Sequence, residues 1–317
     1  MQSQSANKQS ANKAKYIGVL LGGCCGDVLG SQTENMKRSD IIAKYASTDG
    51  LVKELPRHKK YTDDTEMTIV LARHLTENGG KVTMVTVHDA YARCMTDKGY
   101  SQSTRSILNI ILSGKRYLLK KGESDHNGCI MRIAPLALIQ YKSDDILMQN
   151  IDDALFYTHG TDAARWCSFI HCKVLGAILA NKFSDKAGLF MYAINLASAY
   201  PPLFTKLNIV RYTLMVNSTE TNITYELTGN PDTFQITAID CLCCAYYCFF
   251  MFGDPVMAVR QAASMGGDTD TIAKITGELC GALHGVEWIP PEWRGVEDES
   301  TLIMLAGKLQ SYNHIHQ

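Results

Sequence analysis

The sequence has no long run of lysine and arginine, and its charges nearly cancel, with 31 Lys+Arg against 32 Asp+Glu. A near-neutral chain has no global field to hold DNA or RNA, so nucleic-acid binding is not expected. A membrane span is also missing. The longest apolar stretch, residues 236–252, is short of the roughly 20 residues a span needs, and Asp240 lies near its start. A buried core helix is expected there instead. No apolar leader opens the chain: its first fifteen residues, MQSQSANKQSANKAK, are polar and self-repeating. That predicts a disordered tail over residues 1–13 and a cytoplasmic protein.

Cysteine is plentiful, but a disulfide framework is not indicated, because eleven is an odd number and no secretory signal accompanies it. In CLCCAYYC (241–248), Cys241 and Cys244 form one CxxC with no second pair at zinc spacing. In an apolar helix such thiols act as small hydrophobes. Alternating strand patterns are scarce, and only Asn222–Leu227 (NITYEL) reads as a short extended segment. The proline pairs at 201–202 and 290–291 mark loops, and no Gly/Ser/Pro-rich linker divides the chain. One all-α domain over 14–317 is expected.

What is present is helical period. TEMTIVLARHL (65–75) places Met67, Val70, Leu71 and Leu75 on one face. Similar signals recur at 16–30, 84–96, 103–113, 143–156, 162–182, 186–198, 234–252, 254–264, 269–284 and 299–311. Two of these helices carry glycine ladders, Gly18-Gly22-Gly26-Gly30 and Gly277-Gly281-Gly285. Residues four apart share one helical face. Each glycine weakens a helix by about 1 kcal/mol relative to alanine. A helix that accepts this cost repeatedly is expected to gain the close approach of another backbone.

Two acidic clusters open helices. Thr62-Asp63-Asp64-Thr65 precedes the 65–75 pattern, and Gly267-Asp268-Thr269-Asp270-Thr271 precedes the second ladder. One Asp or Thr suffices to cap a helix, at about 1 kcal/mol. Both clusters exceed that need, and four carboxylates brought together would repel one another. Oxygen-only ligands suit Mg²⁺, Mn²⁺ or Ca²⁺ and not Zn²⁺. The pattern predicts a two-metal carboxylate site between helix N-termini.

The segments GVLLGGCCGDVLGSQTE (18–34), YTDDTEMT (61–68) and SMGGDTDTIAKITGELCGALHG (264–285) resemble, in order, the signature blocks of the ADP-ribosylglycohydrolase family. The resemblance runs from about residue 16 to 311. It implies an all-α orthogonal multi-helix bundle with a binuclear site for two Mg²⁺, with Mn²⁺ as a substitute. Thr62, Asp63, Asp64, Asp268, Asp270 and Thr271 would ligate the metals, and Glu34, seven residues after Asp27, would be catalytic. Within the family the chain is similar to the ADP-ribosylserine hydrolase branch, through Glu34, NGCIMR (127–132) and Tyr157-Thr158-His159. Gly99 and Ser101, in a loop similar to one that holds the diphosphate, together with Ser124, Asp125, Asn127, Gly128 and His159, would contact ADP-ribose.

Three positions depart from that branch. Asp125 stands where an aromatic residue would stack on adenine, Ser101 replaces a loop glycine, and Cys129 replaces a glycine beside Asn127. The implied activity is hydrolysis of the glycosidic bond from ADP-ribose to a protein side chain, serine ahead of arginine, or of a small ADP-ribose derivative. The implied partner is an ADP-ribosylated protein or such a derivative, met by a monomer away from membranes. A phosphatase of the Asp-x-Asp type would need a strand before Asp268, where DPVMAVRQAAS reads as a helix. A non-catalytic ADP-ribose-binding relative should have lost Glu34 or a ligand, and the chain retains them all.

Overall fold

The structure, a computed structural model, describes residues 2–216 and 222–315. Among the described residues fifteen α-helices follow one another, beginning with α1 (Gln2–Gly30), α2 (Arg38–Lys44), α3 (Asp63–Glu77), α4 (Met84–Cys94) and α5 (Gln102–Leu112). Next come α6 (Ala134–Ala137), α7 (Asp144–Leu155), α8 (Asp162–Leu179), α9 (Lys186–Ala197) and α10 (Pro201–Val216). The last five are α11 (Ile223–Thr228), α12 (Ala238–Met251), α13 (Pro255–Ala263), α14 (Thr269–His284) and α15 (Glu299–Ile315). No strand occurs among the described residues, and a single bridge joins His126 to Thr237. The fold is the all-α bundle expected. Among the described residues, no helix is long and apolar enough to cross a membrane.

Two local readings are corrected. Asn222–Leu227 is not extended: Asn222 caps α11, its Oδ1 accepting the Tyr225 amide at 3.2 Å. Ile223, Thr224 and Leu227 are then buried on one helical face, a pattern that alternation imitates over six residues. Pro201 and Pro202 do not mark a loop but open α10. Proline is tolerated in a first turn, where its missing N–H has no intrahelical partner to lose. α1 begins at Gln2, within the segment expected to be a tail, whose Ala, Gln and Lys are good helix formers.

α1 and α14 lie at the centre, with α12, α13, α15, α3 and α8 packed around the pair. α12 buries Cys241, Cys243, Cys244 and Cys248 completely, so the cysteine cluster is core, and every described cysteine is a free thiol. Trp288 and Trp293 meet edge to face at 6.1 Å, and Trp293 donates Nε1–H to the Lys53 carbonyl at 2.9 Å, closing the turn after α14.

The two ladders face each other in antiparallel order. A Cβ placed on Gly18 would lie 2.6 Å from the Gly281 carbonyl oxygen, and one on Gly22 would lie 2.6 Å from that of Gly277. A Cβ on Gly30 would lie 2.6 Å from the Asp270 Cα. There is room for hydrogen only. The glycines therefore set the depth to which α1 and α14 interlock, and they bring the end of α1 onto the start of α14. Gly22→Leu and Gly277→Leu are each expected to destabilise the protein by more than the about 1–3 kcal/mol typical of overpacking, because backbone, not a flexible side chain, blocks the space. Thermal melts check this, and unchanged melting temperatures in both variants would refute it.

Candidate active site

The first turn of α3 has its orphan amides satisfied without its carboxylates. The Asp63 amide donates to the Lys98 carbonyl at 2.8 Å, and the Asp64 amide to Thr62 Oγ1 at 3.3 Å. The Thr65 amide and hydroxyl both donate to Asp27 Oδ2 on α1, at 3.1 and 2.6 Å. Asp27 also accepts the Thr62 amide at 3.1 Å. A buried carboxylate from one helix thus caps another, and it fixes the start of α3 against α1. The sequence reading missed this role. Its trace was there, as a carboxylate directly after Gly26 inside an otherwise apolar ladder. The side chains of Asp63 and Asp64 remain available for other work.

The start of α14 is built differently: there the Thr271 amide donates to Asp270 Oδ1 at 2.9 Å. Asp268 occupies the N-cap position but makes no side-chain cap bond. Its Oδ2 accepts the Asn127 amide at 2.5 Å, its Oδ1 accepts the Thr271 hydroxyl at 3.3 Å, and its amide donates to Gln235 Oε1 at 3.3 Å. Gln235, buried and held through Nε2–H to Thr224, is a second residue the sequence did not reveal. Glu34 reaches the same place through the backbone. The Asn35 amide donates to the Gly267 carbonyl at 2.9 Å, and the Gly267 amide to the Met36 carbonyl at 3.0 Å. That pairing places Gly266 and Gly267 at φ of +87° and +80°, a region that favours glycine.

Carboxylate oxygens of Glu34, Asp268 and Asp270 all lie within 4.8 Å of one another. The crowding shows in protonation. Asp64 and Asp270 are pushed well above the usual carboxylate range, first by burial and then by neighbouring aspartates. Asp63 is pushed up to about 7 by burial, then by Asp27, Glu34 and Asp268. Half-buried Glu34 is raised by burial and then by Asp268. Asp64 Oδ2 is buried and finds no hydrogen-bond partner among the described residues. An all-oxygen donor set, crowded negative charge and an orphaned buried oxygen together fit a hard divalent cation.

The other expected contacts divide into two groups. Gly99 adjoins the acidic centre, since a Cβ there would lie 3.6 Å from Asp63 Oδ1, and Asn127 touches Asp268 directly. Gly128 is pressed on the His159 ring, where a Cβ would lie 2.8 Å from Nε2. His159 is buried, its Nδ1 has no partner among the described residues, and burial followed by Arg132 pushes it well below its ordinary value. Ser101 is exposed and caps α5, accepting the Thr104 amide at 3.2 Å. Ser124 accepts the His126 amide at 3.2 Å, and exposed Asp125 is fastened by its backbone carbonyl to the Ala238 amide.

The profile of the ADP-ribosylglycohydrolase family matches residues 8–314. Among curated proteins, ADP-ribosylarginine hydrolase Tri1 of Serratia proteamaculans is 26% identical, over 90% of this chain and 75% of its own. ADP-ribosylhydrolase ARH3 of Xenopus tropicalis is 24% identical, over 89% of both chains. A solved structure titled ADP-ribosylglycohydrolase-related protein complex superposes with a TM-score of 0.75 at 25% identity, over 96% of this chain and 99% of that one.

The raised carboxyls have a consequence for pH. A group whose pKa rises on folding stabilises the fold fully below its unfolded value, and this is lost as pH rises through its folded value. For Asp63 that window runs from 3.8 to about 7. In chelator, the melting temperature is expected to fall as pH rises through this window. A metal-free melting temperature that rises steadily between pH 4 and 7 would contradict the picture.

Proposed function

The chain belongs to the ADP-ribosylglycohydrolase family and is a hydrolase, and on that premise we propose that it frees ADP-ribose from modified protein side chains, serine ahead of arginine, or from a small ADP-ribose derivative. The supporting observation is the meeting of Glu34 with Asp268 and Asp270 at the start of α14, near enough to the Asp63 and Asp64 start of α3 that, beyond burial, the carboxyls raise one another's pKa. We assign Thr62, Asp63, Asp64, Asp268, Asp270 and Thr271 as holders of two Mg²⁺, replaceable by Mn²⁺. When bound, the ions would supply positive charge that offsets the carboxylates and attracts hydroxyls of the ribose, which would favour one position of the sugar.

The protein's own groups act around that sugar. Cleavage at C1″ passes through an oxocarbenium-like state, with water attacking as the departing oxygen or nitrogen is protonated. Glu34 is the group for this proton transfer. Its half-buried carboxyl stands within 4.8 Å of the Asp268 and Asp270 carboxylates, beside the place where the sugar would be held. Asn127 and Gln235 orient Asp268, and Asp27 orients the Thr62–Thr65 turn. Gly99, Ser101, Ser124, Asp125, Asn127, Gly128 and His159 are assigned to the ADP-ribose. The serine assignment rests on Glu34, NGCIMR and Tyr157-Thr158-His159 in the sequence.

The test is release of free ADP-ribose from serine-, arginine- and O-acetyl-linked substrates with Mg²⁺. Activity should vanish in excess chelator, and Asp63→Ala or Asp270→Ala should abolish most turnover while the protein stays folded. Full turnover in chelator would overturn the metal assignment. Glu34→Gln should keep ADP-ribose binding and lose at least about 10²-fold in turnover. Turnover at the wild-type rate would remove Glu34 from the mechanism.

A further inference from the structure

One buried ionic group has no part in the chemistry above. Lys274, on α14 one turn beyond Asp270, is wholly buried, as are Glu278 one turn later and His171 on α8. The Lys274 ammonium lies 3.1 Å from Glu278 Oε1, and the other oxygen of that carboxylate lies 2.9 Å from His171 Nε2. Among the described residues, Glu278 is the one ion-pair partner of Lys274. An ammonium has three donors, so a single carboxylate does not saturate it. Burying such a chain of charges costs several kcal/mol per ion unless nearby charge compensates, and a lysine and a glutamate in apolar packing are not explained by packing alone.

The position of the ammonium suggests what it serves. It lies against Gly23 of α1, where an added Cβ would be 3.3 Å from Nζ and 2.8 Å from Glu278 Cγ. Gly23 and Asp27 are one turn apart on the same face of α1. Glu278 sits a turn further from the start of α14 than Lys274. The ammonium is therefore the end of the pair turned toward Asp27 and the acidic centre, and the carboxylate is the end turned away, anchored by His171.

We propose that Lys274 is a fixed internal cation, aimed by Glu278 and His171, that offsets Asp27 and Asp64 and keeps the acidic helix starts assembled when no metal is bound. Asp27 and Asp64 each feel Lys274 as a charge that favours their ionised forms, and Lys274 feels both of them in return. The cation acts through Asp27 on the Thr62–Thr65 turn, and so positions Asp63 and Asp64 without touching substrate. The same charge opposes entry of a divalent ion, so the device trades metal affinity for an ordered empty site.

The inference rests on the metal assignment above, and the test separates the two. Lys274→Met alone leaves Glu278 buried without its partner and can fail to fold. The informative protein is therefore the double variant Lys274→Met, Glu278→Gln, which removes both charges and keeps a partner for His171. Melting temperature is read in chelator and in saturating Mg²⁺ or Mn²⁺, and Mg²⁺ affinity by calorimetry. The double variant should melt lower than wild type in chelator, and its rise on adding metal should exceed that of wild type by about 3 °C or more. Its Mg²⁺ affinity should be tighter by at least about threefold, because the cation removed stands nearer the acidic centre than the carboxylate removed with it. An equal loss of melting temperature with and without metal, at unchanged affinity, makes the trio mere packing and overturns the inference alone. A wild-type protein that neither binds Mg²⁺ or Mn²⁺ nor melts higher in their presence overturns the metal assignment and this inference together.

Discussion

The structure depends on one contact, the interlocking of α1 and α14 through their glycines. At Gly18, Gly22 and Gly30 a side chain would overlap backbone of the facing helix. Helices normally pack 8–10 Å apart because side chains fill the space between them. Removing those side chains lets the end of α1 reach the start of α14. The contact also carries polar locks at its active end. The Thr269 hydroxyl donates to the Gly30 carbonyl at 2.9 Å, and the Thr33 hydroxyl lies 3.1 Å from that of Thr269. Glu34 follows directly, so a packing feature of apolar helices decides where its carboxyl stands.

The second constraint is electrostatic. Bringing Asp27, Glu34, Asp63, Asp64, Asp268 and Asp270 into one buried region is unfavourable by itself, and the raised pKa values of Asp27, Glu34, Asp63, Asp64 and Asp270 record that. Three responses are built in. Asp27 is tied up by donors from α3, the Asp268 carboxylate by donors from Asn127 and Thr271, and the helix starts add their own partial positive charge. What these leave unsatisfied, above all Asp64 Oδ2, is the part a divalent cation would take. The rigid fold and the uncomfortable charges belong together: only a scaffold locked by backbone contact can hold carboxylates that would otherwise drift apart.

Much of this was legible in the sequence, and its limits have a physical basis. α14 runs over Thr269–His284 as read, because Asp268 and Gly285 punctuate it locally, the latter at φ +77°. The ladders were legible because a repeated helix-weakening residue at period four has few causes. α10 and α11 were misread because a proline pair and a six-residue alternation each fit two local structures, and tertiary burial chose between them. Asp27, Gln235 and Lys274 were not legible as site residues. Each acts on a residue distant in sequence or on another helix, as Asp27 does on Thr65 and Gln235 on Asp268. A single sequence can mark one member of such a pair, as it does Asp27 inside the ladder, but not the partner it acts on.

The Thr62–Glu66 segment carries the argument one step further. Glu66, on the turn after the two aspartates, is buried and accepts the Thr96 amide at 3.0 Å and the Tyr100 hydroxyl at 2.6 Å. The Lys98 carbonyl between them accepts the Asp63 amide. The loop containing Gly99 is thus fastened on both sides of the glycine to the helix that presents Asp63 and Asp64. Asn127 fastens the 124–128 segment to Asp268 in the same way. Each loop assigned to the ligand is therefore anchored at its inner end to one acidic helix start, and a shift of either start would carry its loop with it. The outer ends differ, because Ser101 and Asp125 are exposed and held by local caps or backbone bonds. Those positions can change residue type without moving a carboxylate. On the proposed ligand assignment, the departures at Ser101 and Asp125 would alter how a ligand's periphery is held and leave the acidic centre as it stands.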